Sequence, residues 1–315
     1  MTKRRKISRP LNLRPDEADD RDFPLLKIRP RFKARYAAGA LSWKDEMTPI
    51  KDQGRKGSCV GFAVAAMKEW QERAEHLKEL AAGKEDHRKG KVYDFSEQWI
   101  YHKCKEIDGW PGQEGTSVRD AMKVLHHVGC PPELGWPYDD LVTGEPENWA
   151  PMVAQWNTID SYHRVSGSDG LIMGLQEGPV VIGVAVFNEF FYADYEGLID
   201  MPTDPDDILG GHAICVVGYD QVEKTFEFKN SWNKTWGNEG YGKLHFAYVD
   251  QFMWDAWVAV DTAVEEIEEG EIPEIEEFKV ETPVVKAPAR RRAPVVKRDR
   301  PTVVRIGRRL LQIRK

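Results

Sequence analysis

The sequence has few cysteines and no long apolar run. Four cysteines in 315 residues are far below the density of a small disulfide-stabilised scaffold. No stretch approaches the ~18 consecutive apolar residues of a membrane-spanning helix. The basic N-terminus has no apolar stretch behind it, so it does not resemble a secretory signal. We therefore expect a cytoplasmic protein whose cysteines are thiols, although their even number leaves a Cys104–Cys130 disulfide open.

The net charge of −7 combines an acidic body with a polarised tail. Residues 265–281 carry nine Glu and one Lys, whereas residues 286–315 carry twelve Lys or Arg and one Asp. The acidity of the remainder disfavours nonspecific nucleic-acid binding by a folded body. The tail has too little apolar surface to fold alone, so we predict that residues 263–315 are disordered. Its basic end could bind an acidic partner or nucleic acid, or it could pair with the acidic block.

The apolar pattern divides the chain into three zones. Residues 1–40 have the composition of an extended segment, residues 41–262 carry nearly all of the periodic apolar pattern, and the tail follows. Helical periodicity comes first. It predicts three helices, one that begins at Cys59, one over 95–106 and one over 116–128. β-branched and aromatic runs come later, with strands predicted over 179–187, 212–220, 225–232 and 241–249. This order indicates an α+β fold with a helical lobe at about 55–140 and a sheet lobe at about 150–262.

Cys59 stands at the predicted start of the first helix, after the Gly-rich stretch KDQGRKGS. A thiol is a strong nucleophile only as the thiolate, which the unpaired N–H groups of a helix N-terminus stabilise. A free cysteine is otherwise most often a small buried hydrophobe. Cys59 taken alone therefore does not establish a catalytic role.

Three separated motifs resemble the papain family of cysteine peptidases. The first is QGRKGSCVGFA around Cys59, where Gln53, Gly54, Gly57 and Ser58 also match the family's nucleophile segment. The second is GGHAICVVGYD, over 210–220, and the third is KNSWNKTWGNEGYGKL, over 229–244. The resemblance covers about residues 41–260. It implies a papain-like two-lobe fold, a helical lobe followed by an antiparallel, barrel-like sheet lobe, with the active site in the cleft between them.

The resemblance also implies a role for each matched catalytic residue. Cys59, partly exposed, would attack the scissile carbonyl as a thiolate paired with the imidazolium of His212. Asn230 would orient that ring with its side-chain oxygen. Gln53 would donate its side-chain NH2 to an oxyanion hole, together with the backbone N–H of Cys59.

Four residues are expected to bind or shield the substrate site: Gly115, Thr116, Gly211 and Trp232. Gly115 and Thr116 align with backbone that pairs with an extended substrate in the family, and Trp232 would cover the His212–Asn230 hydrogen bond. The implied partner is a peptide or protein substrate. We expect no cofactor and no metal, because no Cys or His pair with ligand spacing has a second pair to complete a zinc site.

The sequence departs from the family pattern at three informative places. Lys56 replaces the first Cys of the family's Cys-Gly-Ser-Cys tetrad, so the usual disulfide of that loop cannot form, as in leaderless microbial members. Asn233 stands where the family commonly has Gly, which predicts a positive φ. Only 58 residues precede Cys59, so we expect the long inhibitory pro-segment of lysosomal members to be missing, which leaves the restraint of activity open.

Three alternatives to simple peptide hydrolysis stay open. The same triad can run transpeptidation or isopeptide cleavage. The chain could also be a catalytically retired papain-fold scaffold that works through its charged tail, or a nucleic-acid-associated protein that acts through residues 286–315. An intact set of Cys59, His212, Asn230 and Gln53 argues against a retired site.

Overall fold

The structure is a computed structural model that describes residues 9–19, 22, 24–25, 39–84 and 93–260, and the backbone of two strands within 302–313. The helices in these residues are α1 (Cys59–Ala81), α2 (Glu97–Lys105), α3 (Val118–His127), α4 (Ala150–Ala154), α5 (Gly167–Gly174) and α6 (Phe246–Phe252). The strands are β1 (Ala40–Ser42), β2 (Ser161–Arg164), β3 (Val180–Val186), β4 (Gly210–Asp220), β5 (Thr225–Lys229), β6 (Tyr241–His245), β7 (Met253–Val260), β8 (Thr302–Ile306) and β9 (Arg309–Ile313).

Helix α1 is the central helix of the first lobe. Its N-terminal half is buried from Cys59 to Trp70, whereas Leu77 near its C-terminus is exposed. The buried half packs against α2 and α3 and against strand β4. The first turns of helix α1 therefore cover the sheet with their apolar side chains. This packing places Cys59 beside strand β4.

Strand β4 lies in the middle of a seven-stranded antiparallel sheet. The order is β2-β7-β3-β4-β5-β6, and β1 also pairs with β4. Because side chains alternate across a strand, Ala213 and Cys215 join the apolar cluster that contains Cys59, whereas Ile214 joins the cluster on the opposite face. The sheet thus has an apolar cluster on each face, and the α+β prediction is confirmed.

The three predicted helices and four predicted strands are all present, but two strands end early: the strand predicted over 225–232 stops at Lys229, and the one predicted over 241–249 is also too long. Strand β6 stops at His245, and the next residues form helix α6 instead of a longer strand. Val249 is buried there, and the Tyr248 hydroxyl donates to the carbonyl oxygen of Ala185 at 2.8 Å. These contacts with the sheet outweigh the β propensity of the aromatic and branched residues.

Sequence patterning missed strands β1, β2 and β7 and helices α4 and α5. It also missed the antiparallel pair of β8 and β9 inside the tail. The chain divides into two compact units, 1–261 and 262–315, and the rest of the second unit lies outside the described residues. The predictions of a disordered tail and of a tail partner therefore stay predictions. No helix of the described residues has the length and apolarity to cross a membrane.

Candidate active site

Cys59 is the first residue of helix α1 and is completely buried. Burial raises the pKa of its thiol to about 11, although the backbone N–H groups of Ala213, Val60 and Cys59 itself act in the opposite direction. The predicted helix N-terminus is confirmed, but the predicted partial exposure is wrong. In this arrangement Cys59 is a neutral thiol beside the strand that carries His212.

His212 lies on strand β4 with its imidazole held from one side. Its Nε2 atom is 2.8 Å from Oδ1 of Asn230. Within the described residues its Nδ1 atom is buried without a hydrogen-bond partner. Burial lowers the pKa of His212 to about 4, the hydrogen bond with Asn230 opposes that shift, and the positive charge of Arg9 adds to it. A neutral imidazole with a vacant Nδ1 can accept a proton from a thiol.

Aromatic rings enclose the His212–Asn230 pair. The Trp232 ring is 4.6 Å from the His212 ring, centroid to centroid. Trp232 is itself buried and stacks on Phe191, with ring centroids 5.4 Å apart and planes 9° apart. The ring therefore lies beside the pair, and its predicted role of keeping water from the His212–Asn230 hydrogen bond stays a prediction.

Gln53 is buried and bonded at both ends of its side-chain amide. Its Oε1 accepts a hydrogen bond from the Ser231 hydroxyl at 2.7 Å, and its Nε2 donates to the carbonyl oxygen of Lys56 at 3.0 Å. An amide nitrogen has two N–H donors, and the contact with Lys56 uses one. The Gln53 amide is therefore held in one orientation, and its second N–H is available as a donor in the loop that leads to Cys59.

Lys56 ties this loop to the helical lobe without a covalent bond. Its ammonium group donates to Oε1 of Gln98 at 3.0 Å and to the carbonyl oxygen of Asp139 at 2.6 Å. It also lies 5.2 Å from the centre of the Tyr138 ring. These contacts hold the loop at the position where the family carries a cysteine. All four cysteines are free thiols, so the open Cys104–Cys130 disulfide does not form here.

The first described residues lie across the cleft. Asn12 forms a parallel bridge with Gly211, and the Leu13 N–H donates to the Gly211 carbonyl oxygen at 3.1 Å. The Arg14 N–H donates to the carbonyl oxygen of Thr116, also at 3.1 Å. We call residues 9–14 the covering segment. It occupies backbone positions predicted for substrate and lies over the site that contains the buried Cys59.

The glycines of the cleft allow this close approach. A Cβ atom at Gly115 would lie 1.7 Å from the Asn12 carbonyl oxygen, and Gly115 also has a positive φ of 82°. A Cβ at Gly57 would lie 2.9 Å from Cβ of Asn12. Backbone can therefore pass between Gly57 and Gly211 only because side chains are missing there. Asn233 has a φ of 70°, which confirms the predicted positive value.

Sequence reasoning missed three groups that shape the site. Tyr138 donates its hydroxyl to the carbonyl oxygen of Gln53 at 2.7 Å, and it contacts the Ser58 hydroxyl at the same distance. Ser231 orients the Gln53 amide. The third is the covering segment, whose composition predicts only an extended chain. Its signal was the pair of leucines in LNL within an otherwise polar stretch, and Leu13 of that pair is buried.

The geometry agrees with the comparison to a protein family. A family model described as "Papain family cysteine protease" matches residues 38–252. An uncharacterised peptidase C1-like protein of Acanthamoeba polyphaga mimivirus is 26% identical over 76% of this chain and 80% of its own length. Cysteine proteinase 3 of Entamoeba histolytica is 30% identical over 66% of this chain, and the match spans 62% of that proteinase.

Solved structures show the same architecture. Xylellain, a cysteine protease from Xylella fastidiosa, superposes with a TM-score of 0.66 and 28% identity, covering 80% of this chain and 96% of its own. A Carica candamarcensis cysteine protease superposes with a TM-score of 0.52 over 70% of this chain and 98% of its own. Its identity of 21% supports the fold alone. Both likenesses place the described body in one architecture with cysteine proteases.

Proposed function

The chain belongs to the papain family of cysteine proteases, and we propose that it hydrolyses peptide bonds through an acyl-enzyme formed on Cys59. The arrangement of His212 carries this proposal. Its Nε2 is held at 2.8 Å by Asn230, and its Nδ1 has no partner within the described residues. The ring is thus held with Nδ1 available for proton exchange. The next residue on the strand is Ala213, whose backbone N–H contacts the Cys59 thiol.

The proposed reaction begins with transfer of the Cys59 thiol proton to Nδ1 of His212. The thiolate attacks the scissile carbonyl, and the resulting oxyanion accepts hydrogen bonds from the Cys59 backbone N–H and the Gln53 amide. His212 then gives its proton to the departing amine, which leaves an acyl group on sulfur. A water molecule, deprotonated by His212, attacks this thioester, releases the acid product and restores the thiol.

Two further assignments, the substrate-binding residues and the compartment, belong to this proposal. Gly115, Thr116 and Gly211 would pair with the extended backbone of a peptide substrate, because the covering segment uses the carbonyl oxygens of Thr116 and Gly211 in that way. The four unpaired thiols support a reducing compartment, and we propose the cytoplasm.

The test is covalent labelling with a peptidyl epoxysuccinyl inhibitor under reducing conditions. We expect one stoichiometric adduct, located at Cys59 by mass spectrometry, and parallel loss of peptide hydrolysis. The other three cysteines are equally buried and serve as internal controls for unfolding. Labelling spread over all four cysteines would contradict the proposal. So would an adduct at Cys59 in a protein that hydrolyses no peptide before it is labelled.

Replacing Gln53 with alanine should lower kcat by about 100-fold or more and change KM much less, because the oxyanion exists only in the transition state. The matched control is Ser231→Ala. It removes the hydrogen bond that Oε1 of Gln53 accepts from the Ser231 hydroxyl but keeps the Gln53 amide N–H donors. It should cost less than Gln53→Ala in kcat. Equal losses in both variants would show that Gln53 acts only by supporting the loop.

A further inference from the structure

Arg9 of the covering segment is bound by a set of acceptors at one end of the cleft. Its Nη1 donates to Oδ1 of Asp52 at 2.6 Å and to the Gly54 carbonyl oxygen at 3.2 Å. Its Nη2 donates to the Trp232 carbonyl oxygen at 3.2 Å and reaches Oδ2 of Asp52 at 3.4 Å. The guanidinium thus has a forked contact with one carboxylate and two carbonyl partners, and its side chain is only 15% exposed.

These acceptors are part of the body and are held in place independently of Arg9. Asp52 Oδ1 accepts the N–H of Gly54 at 2.9 Å, and Asp52 forms an antiparallel bridge with Trp232. Burial alone would raise the pKa of Asp52, but hydrogen bonds from Arg9, Gly54 and Asn233 outweigh burial and lower it. The contacts of the carboxylate with Gly54 and Asn233 come from the body and not from the covering segment.

The position of these acceptors relates them to the substrate. Arg14 contacts Thr116 and Leu13 contacts Gly211, whereas Arg9 lies at the other end of the segment, beside the Gln53 loop and Trp232. Under the proposed function, the acyl part of a substrate pairs with Thr116. The end of the cleft at Asp52 would then receive the part of the substrate that is released as the amine.

We propose that Asp52 and the carbonyl oxygens of Gly54 and Trp232 form a subsite for a guanidinium side chain on the released side of the substrate, a subsite that Arg9 fills here. This inference rests on the proposed peptidase function and adds a substrate class to it: peptides with arginine shortly after the cleaved bond. Arginine is favoured over lysine, because two nitrogens of a planar fork contact the carboxylate and the carbonyl groups together.

The test compares arginine with citrulline, which has nearly the same shape without the charge. Internally quenched peptides carry one or the other at the first, second or third position after the scissile bond, in an otherwise neutral sequence. The measured quantity is the ratio of kcat/KM for the two peptides of a pair. Both peptides compete with the same covering segment and use the same oxyanion hole, so the ratio cancels changes in either.

We expect the full-length wild-type chain to prefer arginine by about tenfold at one of these positions, from a partly exposed forked ion pair. Asp52→Asn should reduce the preference to less than about twofold, because a neutral amide replaces the carboxylate. Glu106→Gln is the control, since it breaks a comparable 2.7 Å ion pair with Lys103 on helix α2 and should keep the preference. If Asp52→Asn does not fold, Asp52→Glu should fold and retain a preference for arginine.

Each failure has a distinct meaning. A ratio near one at all three positions in the wild type, or an unchanged ratio in Asp52→Asn, would overturn the subsite while leaving the peptidase in place. Absence of hydrolysis of every peptide, together with no adduct at Cys59, would instead reject the proposed function on which the subsite rests.

Discussion

Cys59→Ala is expected to abolish peptide hydrolysis, with a loss of at least about 10⁴-fold in kcat. The variant lacks the proposed nucleophile. Among the described cysteines, no other combines a helix N-terminus with a position beside the strand of His212. The folded structure should survive, because removing one buried sulfur leaves a small cavity that costs on the order of 1 kcal/mol. The measurement is hydrolysis of a quenched peptide, with the thermal transition followed by circular dichroism.

Cys215→Ala is the matched control for that experiment. Cys215 is completely buried in the same apolar cluster as Cys59, so its replacement creates a similar cavity without removing the nucleophile. We expect it to keep activity within about threefold at a similar cost in stability. Adding His212→Ala to Cys59→Ala should cause little further loss, because the two side chains act as one unit. Substantial activity in folded Cys59→Ala would disprove the assignment of the nucleophile.

The sequence was most informative where chemistry and local structure depend on neighbouring residues. The apolar stripe after Cys59 predicted helix α1, and the motif around Asn230 predicted a partner for His212 that the structure places at 2.8 Å. The first depends on a short-range pattern, and the second on the resemblance of the motif to the papain family. The positive φ of Asn233 was also predicted, because the family commonly has Gly at this position.

Features that depend on distant contacts were less accessible. Helix α6 was predicted as strand, since nothing in its own sequence shows that Tyr248 reaches the backbone of Ala185. The hydroxyl of Tyr138 meets the Gln53 carbonyl across 85 residues. The burial of Cys59 was missed for the same reason: its apolar cluster includes Leu13, Ala213 and Cys215, which lie far from it in the sequence.

Under the proposed function, the covering segment would restrain activity. Its backbone uses the Thr116 and Gly211 carbonyl oxygens, so a substrate that pairs there, as proposed, would have to displace it. Burial of the site favours the neutral thiol and neutral imidazole, since it raises the pKa of Cys59 and lowers that of His212. Departure of the segment would admit both substrate and water, and water favours the charged thiolate–imidazolium pair.

Leu13→Asp should therefore increase the rate of Cys59 labelling and kcat/KM together. Leu13 is only 5% exposed, and a Cβ at Gly183 would lie 2.5 Å from its Cδ2 atom. Burying a leucine is worth about 1.5–3 kcal/mol, which corresponds to roughly 10- to 150-fold in the population of the open cleft. The new carboxylate would also face Asp255, whose Oδ2 lies 3.6 Å from the same Gly183 position.

Two controls separate opening of the cleft from general destabilisation. Leu77→Asp makes the same exchange at an exposed position of helix α1, where the leucine is 48% exposed, and should change neither rate. Leu13→Met keeps an apolar side chain of similar volume and should leave the cleft covered. The two rates should rise by the same factor in Leu13→Asp, because both depend on one open state. Unchanged labelling in a folded variant would show that the segment does not limit access. A fall in activity with a lower melting temperature would show that these residues stabilise the active fold instead of covering it.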